Sequence, residues 1–543
     1  MSTTLALTGV DITLGARTLV TGLDLVLGDG DVTALVGPNG SGKSTLMRSV
    51  LGELPLGSGS MRLSPGSATI GWLPQVPPDA AETLLEHARR RTGVAAADLA
   101  LQASADQLAA GVEGAEERYS TAWERWLSLG AADLEDRLPE VAAQVGLDVA
   151  VDRPLGSLSG GQAARASLVV VLLSRYEVLL LDEPTNDLDA RGLALVTDFV
   201  MAHDGPVLVA SHDRDFLDSV ATRVVELDLP QQRIGHYSGG YTDFVAARTL
   251  ARRQAREAFE AYAGERDTLI AQARRRDDWA AQGRQAVKRG DEPDKHLRER
   301  DKARADRQSA KAARIKRSAE RLEVVEQPRK EWQLRYTLSS GPDPAEVVAT
   351  LSGARVDRGD FRLGPVDLTV GRGDRVAVSG DNGSGKTTLL RCLWGDLPLS
   401  EGRASLGTRV TLGVLDQQRR LFDTDEPVLD VVRDALDGRE SAEVRTLLAK
   451  FGLGSDHVTR PGRTLSHGER TRALLAVFGA RAVNVLVLDE PTNHLDAPAI
   501  EQLESALADY AGTIVVVSHD VRFLSALGIT RRWHLENGRV RDA

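Results

Sequence analysis

Two glycine-rich loops in this chain have the spacing that cradles a triphosphate. "GPNGSGKST" begins at Gly37 and "GDNGSGKTT" at Gly380. Both fit G-x-x-x-x-G-K-[ST], through Gly37, Gly42, Lys43 and Ser44 in the first and Gly380, Gly385, Lys386 and Thr387 in the second. The glycines let backbone N–H groups turn inward around phosphate oxygens. The lysine neutralises β- and γ-phosphate charge, and the hydroxyl holds Mg²⁺. Asn39, Gly40 and Thr45 belong to the first loop, and Asn382, Gly383 and Thr388 to the second.

A second set of residues follows each loop. Asp182 and Asp489 end apolar runs, where a carboxylate reaches Mg²⁺ directly or through water. Glu183 and Glu490 come next and are suited to general-base work on the attacking water. His212 in "ASHD" and His519 in "VSHD" close the next apolar run. An imidazole there can touch a γ-phosphate and report its loss. A lone histidine is more often structural, but two in the same register favour the phosphate reading. Gln75 in "GWLPQ" and Gln417 in "GVLDQ" are further candidate ligands for Mg²⁺ and water.

These motifs are one set, written twice. "LSGGQAARASL" from Leu158 matches "LSHGERTRALL" from Leu465, and "VLLLDEPTNDLDA" from Val178 matches "VLVLDEPTNHLDA" from Val485. Ser159 to Ser466, Glu183 to Glu490 and His212 to His519 are all offset by 307, whereas Lys43 to Lys386 is offset by 343. The first copy therefore holds 36 extra residues, placed in the helix-like, Ala- and Leu-rich stretch from Ala80 to Pro154. Each loop follows a short apolar run ("VTALV", "RVAVS") and opens a helix-like stretch. Strand, phosphate loop, helix and further strands imply an α/β domain with a largely parallel sheet.

At 543 residues the chain is long enough for about three to four units. Its net charge of −11 excludes a protein that is basic throughout. Residues 251–330 nevertheless carry 23 Lys/Arg against 15 Asp/Glu, a net of +8, so the remainder carries −19. This segment is rich in Ala, Arg, Glu, Lys and Gln. A break at "KRGDEPDK" (Gly290, Pro293) divides it into two helices of comparable length, a hairpin with an arm of ~40 residues and ~60 Å. "EQPRKEW" is read as its exit. The expected units are 1–240, a charged hairpin at 241–335, and 346–543. Trp279 is expected to pack between the two helices. A charge run often means only a solvated spacer, but a local basic excess in an acidic protein suits a polyphosphate partner. The one cysteine, Cys392, reads as a small buried hydrophobe and allows no disulfide within the chain. The N-terminus has no signal-peptide pattern, and no apolar run approaches the ~20 residues of a spanning helix. A cytoplasmic location is expected.

The set of phosphate loop, Gln, "LSGGQ", "LLLDEPTN", "LD" and "SHD" resembles an ATP-binding cassette (ABC) ATPase, twice over. The resemblance implies two tandem ABC domains, each a P-loop sheet with a helical subdomain, joined by a long helical hairpin. In that family two cassettes close head to tail, and the signature loop of one caps the ATP held by the other. Site one would then comprise Lys43, Ser44, Gln75, Asp182, Glu183 and His212, capped by Ser466, Gly468 and Glu469. Site two would comprise Lys386, Thr387, Gln417, Asp489, Glu490 and His519, capped by Ser159, Gly160, Gly161 and Gln162. The ligands implied are ATP and Mg²⁺, in a monomer with intramolecular pairing. Two departures stand out. Leu14 occupies the position where family members usually place an adenine-stacking aromatic, and "VDRGDF" in the second copy is read as offering none. The second signature has His467 in place of a glycine.

"EPTNHLD", the fused tandem cassettes, "YSGGYTDF" leading into a basic hairpin and the "QPRKEW" exit resemble the F subfamily of ABC proteins. That resemblance implies binding to the ribosome, to rRNA and tRNA near the exit and peptidyl sites. The linker would reach toward peptidyl-tRNA and the peptidyl-transferase centre, in a translation factor or in antibiotic resistance by ribosome protection. Arg274, Arg275, Arg276, Arg284, Lys288, Arg289, Lys295 and Arg298 would meet RNA phosphates, with salt-dependent affinity. Three other readings share parts of the pattern: a transporter ATPase with a separate permease, a DNA-associated ABC ATPase, and a structural binder that ATP only locks.

Overall fold

The computed structural model describes residues 2–15, 17–73, 79–158, 160–186, 188–228, 233–289, 295–325, 338, 341–359 and 361–542. The chain forms two compact units, one of residues 1–242 and 333–543 and one of residues 243–332.

The first unit holds both copies of the repeat. In the first copy the strands are β1 (Thr4–Leu14), β2 (Arg17–Leu27), β3 (Val32–Val36), β4 (Ser58–Ser64), β5 (Ile70–Leu73), β6 (Val178–Asp182), β7 (Val207–Ala210), β8 (Arg223–Asp228) and β9 (Arg233–Ser238). In the second they are β10 (Val347–Arg358), β11 (Phe361–Gly371), β12 (Arg375–Ser379), β13 (Glu401–Leu406), β14 (Leu412–Leu415), β15 (Val485–Asp489), β16 (Thr513–Val517), β17 (Arg531–Glu536) and β18 (Arg539–Asp542). Each copy has a six-stranded sheet, ordered β5-β6-β7-β3-β8-β9 and β14-β15-β16-β12-β17-β18. Only the last strand of each, β9 or β18, runs antiparallel. The central strands β3, β6, β7, β15 and β16 are buried along their whole length. That is why they read as unbroken runs of Val and Leu and not as alternating patterns. Each copy also has a three-stranded antiparallel sheet, β2-β1-β4 or β11-β10-β13. Leu5, Leu7, Val10 and Ile12 of the first face Leu35, Leu180 and Leu208 of the larger sheet in one apolar core.

The phosphate-loop helices are α1 (Lys43–Val50) and, in the second copy, a helix at Lys386–Leu393. The extra residues of the first copy form helices, as expected: α2 (Leu84–Arg91), α3 (Val94–Ala109), α4 (Ala115–Ser128) and α5 (Leu134–Gln144). The second copy has only Val428–Ala435, Ser441–Lys450 and the short Ser455–Val458 in that place. After the insert come α6 (Gly160–Leu173), α7 (Ala190–Met201) and α8 (Arg214–Val220).

The second unit is helical. α9 runs Tyr241–Arg289 and α10 runs Lys295–Glu320. With 49 and 26 residues they are not of comparable length. At 1.5 Å per residue the longer spans ~74 Å and the shorter ~39 Å. The return helix ends at Glu320, shortly before the β-branched pair Val324 and Val325, which disfavours helix. The expected break at Gly290 and Pro293 and the exit at Pro328 lie outside the described residues. The helices meet along a seam of alanines, Ala273 and Ala280 on one side and Ala305 and Ala312 on the other, all buried. Both pairs are seven apart, the spacing that keeps one face on the partner helix. Small side chains leave no room for Trp279 in that seam. It stands 61% exposed, with the Arg304 guanidinium 5.9 Å from its ring, and does not pack between the helices.

Candidate active sites

In both six-stranded sheets the chemistry-bearing residues leave the C-terminal ends of neighbouring parallel strands, where open α/β sheets place their ligand sites. β3 leads into the Gly37 loop, β6 ends at Asp182, and β7 ends just before Ser211 and His212. β7 lies between the other two, with Ala210 paired to both Leu35 and Asp182. Adjacency in the sheet thus unites residues far apart in sequence. The same arrangement recurs in β12, β15 and β16.

Gly42 and Gly385 sit at φ 100 and 104, immediately before the loop helices. A side chain there would be strained, and a Cβ would come within 3.1 Å of Leu19 or 2.4 Å of the Phe361 ring. Neither helix has a side-chain cap, so its first N–H groups are available to an anion. Lys43 Nζ donates to the carbonyls of Gly37 (2.9 Å) and Pro38 (3.4 Å). Lys386 Nζ does the same to Gly380 (2.6 Å) and Asp381 (3.3 Å), with His519 Nε2 at 3.3 Å. Burial lowers the pKa of both lysines, against the pull of Glu183 and Glu490.

The Ser44 hydroxyl bonds to Asp182, and Thr387 Oγ1 donates to Asp489 Oδ2 at 2.8 Å. Burial raises both aspartates above the usual carboxylate range. A hydroxyl beside a buried carboxylate is the hard-oxygen donor set that suits Mg²⁺. Gln417 lines the cavity of about 1240 Å³ that also holds Lys386, Thr387 and Asp489. Gln75 lies outside the described residues.

Glu183 and Glu490 are held at φ 54 and 46, in the left-handed region that non-glycine residues rarely occupy. Their N–H groups bond Ala210 and Val517 of the neighbouring strand, so the chain turns sharply just as it leaves β6 and β15. Identical strain at the same position in both copies marks a functional constraint. His212 stands over Glu183: its N–H donates to Oε2 at 3.2 Å, and Nε2 lies 3.3 Å from Oε1. Burial raises the Glu183 carboxyl to about 8, with Lys43 opposing, and drives His212 well below its usual value. The pair is therefore held neutral. In the second copy His519 Nε2 lies 3.4 Å from Glu490 Oε1, and burial lowers this imidazole to about 4.

The two copies meet head to tail at these loops. Asn39 N donates to Asp496 Oδ2 at 2.9 Å, and Asn39 Nδ2 to the His494 carbonyl at 3.3 Å. Reciprocally, Asn382 N donates to Asp189 Oδ2 at 3.2 Å, and Arg165 Nη2 reaches the Asn382 carbonyl at 3.2 Å. Each aspartate uses its other oxygen to cap its own helix, at Gly192 N or Ala499 N. Two arginines beside the histidine loops cross the same boundary. Arg214 pairs with Glu504 and Asp520, and Arg522 with Asp215 and Asp218.

Of the signature residues, Ser466 caps the helix His467–Ala480 in a reciprocal box with Glu469. Glu469 also lies 3.1 Å from His457 Nε2. The buried Gly468 sits in the first turn, and His467 tilts against the His494 ring with centroids 4.9 Å apart. Gly160, Gly161 and Gln162 open α6, while Ser159 lies outside the described residues. On the hairpin Arg274 and Arg275 are exposed. Arg276 is bound to Gln308 and Arg284 to Ser309 of α10. The side chains of Lys288, Arg289, Lys295 and Arg298 are not among those described.

Sequence reasoning passed over Asp189, Asp496, Arg165 and Phe361. The aspartates were detectable as helix N-caps, Asp before a helical run, repeated at the offset of 307. The S-x-x-E of Ser466–Glu469 likewise spells a capping box. Phe361 stands in the stretch read as lacking an aromatic, yet the hairpin of β10 and β11 brings its ring under Gly385. The first copy has Leu19 and Val20 against Gly42, and Leu14 is 55% exposed.

Comparison with known proteins decides the family. The ABC transporter family profile matches residues 20–186 and 363–493. The chain is 32% identical to the tylosin resistance ATP-binding protein TlrC of Streptomyces fradiae, over 96% of each protein. It is 31% identical to the ATP-binding protein Uup of Escherichia coli K12, over 96% of this chain and 78% of that one. The chain belongs to the ATP-binding cassette family, in its F subfamily. It is an ATPase with two tandem cassettes and a long helix between them. The fold also matches an archaeal ribosome recycling factor, aABCE1, solved in complex with the ribosomal stalk protein aP1 (TM-score 0.58, 19% identity, 98% of this chain and 89% of that one). A structure of RNase-L Inhibitor matches with a TM-score of 0.59 at 18% identity, over 98% of this chain and 89% of that one. Among the described residues no helix is long and apolar enough to cross a membrane.

Proposed function

We propose that this ABC protein is a cytoplasmic, ribosome-binding ATP clamp: two ATP molecules close its cassettes on each other, and hydrolysis opens them. One observation carries the clamp. Each phosphate-loop asparagine is held by an aspartate of the opposite cassette, Asn39 by Asp496 and Asn382 by Asp189. Both composite sites therefore lie within a single chain.

In each site the inward N–H groups of the glycine loop and Lys43 or Lys386 bind the triphosphate. Ser44 with Asp182, and Thr387 with Asp489 and Gln417, would hold Mg²⁺, which neutralises developing phosphate charge when bound. Glu183 and Glu490 accept the proton of the attacking water. His212 and His519 contact the γ-phosphate and relay its loss to Arg214 and Arg522 beside them. The signature residues Ser466, Gly468 and Glu469 cap site one, and Ser159, Gly160, Gly161 and Gln162 cap site two.

The basic hairpin supports an RNA partner. Its excess of eight positive charges, in a chain of net −11, suits RNA phosphates. Arg274 and Arg275 are free of the hairpin's own packing and are the foremost contacts; Arg276 and Arg284 have a second, structural duty. The names of the tylosin resistance relative and of the ribosome recycling factor point the same way, toward antibiotic protection or translation. The test is co-sedimentation of the Glu183→Gln/Glu490→Gln protein with ribosomes in ATP. Pelleting at 50 mM salt that falls steeply by 200 mM is expected. Absence of pelleting at low salt refutes the ribosome as partner and sends the search to a permease or to DNA.

A further inference from the structure

Arg419 is a cation with no exposed surface at all. It lies two residues after Gln417, with φ 51, in the left-handed region. Its guanidinium makes four bonds, all to neutral oxygens. Nε donates to Thr471 Oγ1 at 2.8 Å and Nη1 to the Gln417 carbonyl at 3.0 Å. Nη2 donates to the carbonyls of Pro491 (3.0 Å) and Asn493 (3.3 Å).

Those partners belong to different sites. Gln417 lines site two, with Lys386 and Thr387. Thr471 is on the first turns of the helix that Ser466 caps, and His467 of that helix packs on His494, whose carbonyl takes Asn39 of site one. Pro491 and Asn493 lead directly to His494 and Asp496, which hold Asn39 of site one. One buried fork thus ties the glutamine loop of site two to both segments that cover site one. Aligning Gln75 with Gln417 puts Pro77 in the place of Arg419, and proline has no donor there.

We propose that Arg419 is a positioning residue that couples the two sites: through it the glutamine loop of site two and the segments beside site one move together, so that ATP in site two sets the cap over site one. The inference rests on the assignment of Lys386 and Glu490 to site two. A buried guanidinium suits the task because its rigid planar fork aims donors at four acceptors, whereas a lysine ammonium has three rotatable ones on a flexible stem.

The experiment reads turnover from site one only. In Glu490→Gln, site two binds ATP without hydrolysing it. In Lys386→Ala, site two stays empty. The KM for ATP of the remaining turnover is measured in both, with Arg419 present and with Arg419→Met or Arg419→Lys. With Arg419 the empty-site protein is expected to show a KM about tenfold higher, within the usual range of coupling between sites. With either substitution the ratio is expected to fall toward one. An undiminished ratio overturns the proposal, because a merely structural arginine would move both KM values together. A ratio of one already present with Arg419 also overturns the proposal, whereas total turnover left unreduced by both Lys386→Ala and Glu490→Gln refutes the site assignment beneath it. If the Arg419 variants do not fold, Thr471→Val removes one of the four bonds. A smaller ratio there supports the coupling, and the parental ratio overturns it.

Discussion

Site one and site two share the same atoms in nearly the same places and differ in what surrounds them. Both have the glycine loop, the hydroxyl–carboxylate pair, the left-handed glutamate and the histidine above it. Site two has an aromatic ring under its loop, where site one has Leu19 and Val20. The His467–His494 ring pair adjoins site one through the His494 carbonyl that takes Asn39, and Arg419 ties the same helix at Thr471. The chemistry is duplicated, and its surroundings are not. Two equivalent catalytic sets can therefore serve different steps of one opening and closing cycle.

The largest expected effect breaks the symmetry at its strongest point. Glu183→Gln should remove site-one turnover and Glu490→Gln site-two turnover, each by ~10²–10⁴-fold. The double variant should retain ATP and lose steady-state hydrolysis altogether. Single variants that each abolish all turnover would mean the sites fire only together.

The left-handed glutamate was not legible in the sequence, although its identity was. The two loops, the strand-ending aspartates and the histidines could be read because each is a short motif beside an apolar run, and the repeat confirmed their register. What escaped was set by tertiary contact. Phe361 reaches the loop only through the turn between β10 and β11, and Arg419 is interpretable only once three separate loops converge on it. The hairpin was foreseen as helical and basic. Its unequal helices and the exposed Trp279 were not, because a seam of alanines leaves no pattern of large apolar residues.

The next largest effect separates two arginines. Arg214 is 9% exposed and holds two carboxylates, whereas Arg522 is 33% exposed. Arg214→Ala takes a buried guanidinium from two half-buried acids and should cost the closed state about 3 kcal/mol. Arg522→Ala should cost about 1 kcal/mol or less. The ATP concentration that half-closes each protein measures both, and equal shifts would contradict the difference in burial.

Turnover by site one, isolated in Glu490→Gln, should rise with pH. The base must lose its proton to act, and burial keeps that proton on Glu183 up to about pH 8. Activity is therefore low on the acid side and climbs through that value. A flat profile from pH 7 to 9 would show that Glu183 is already ionised.

The smallest effect concerns the ring. In Glu183→Gln, where turnover comes from site two, Phe361→Ala should raise the KM for ATP about three- to tenfold, the worth of one aromatic contact. An unchanged KM would make the ring a packing residue of the hairpin and nothing more.

The claim beneath all of these is that the sites are shared between the cassettes of one chain. Cysteines at positions 39 and 496 test it most directly, because the one native cysteine, Cys392, is buried. In the Asn39→Cys/Asp496→Cys protein, ATP should speed formation of a disulfide within the monomer, visible as a faster-migrating, reducible band. A disulfide that forms only between two chains, or one indifferent to ATP, would contradict the intramolecular clamp.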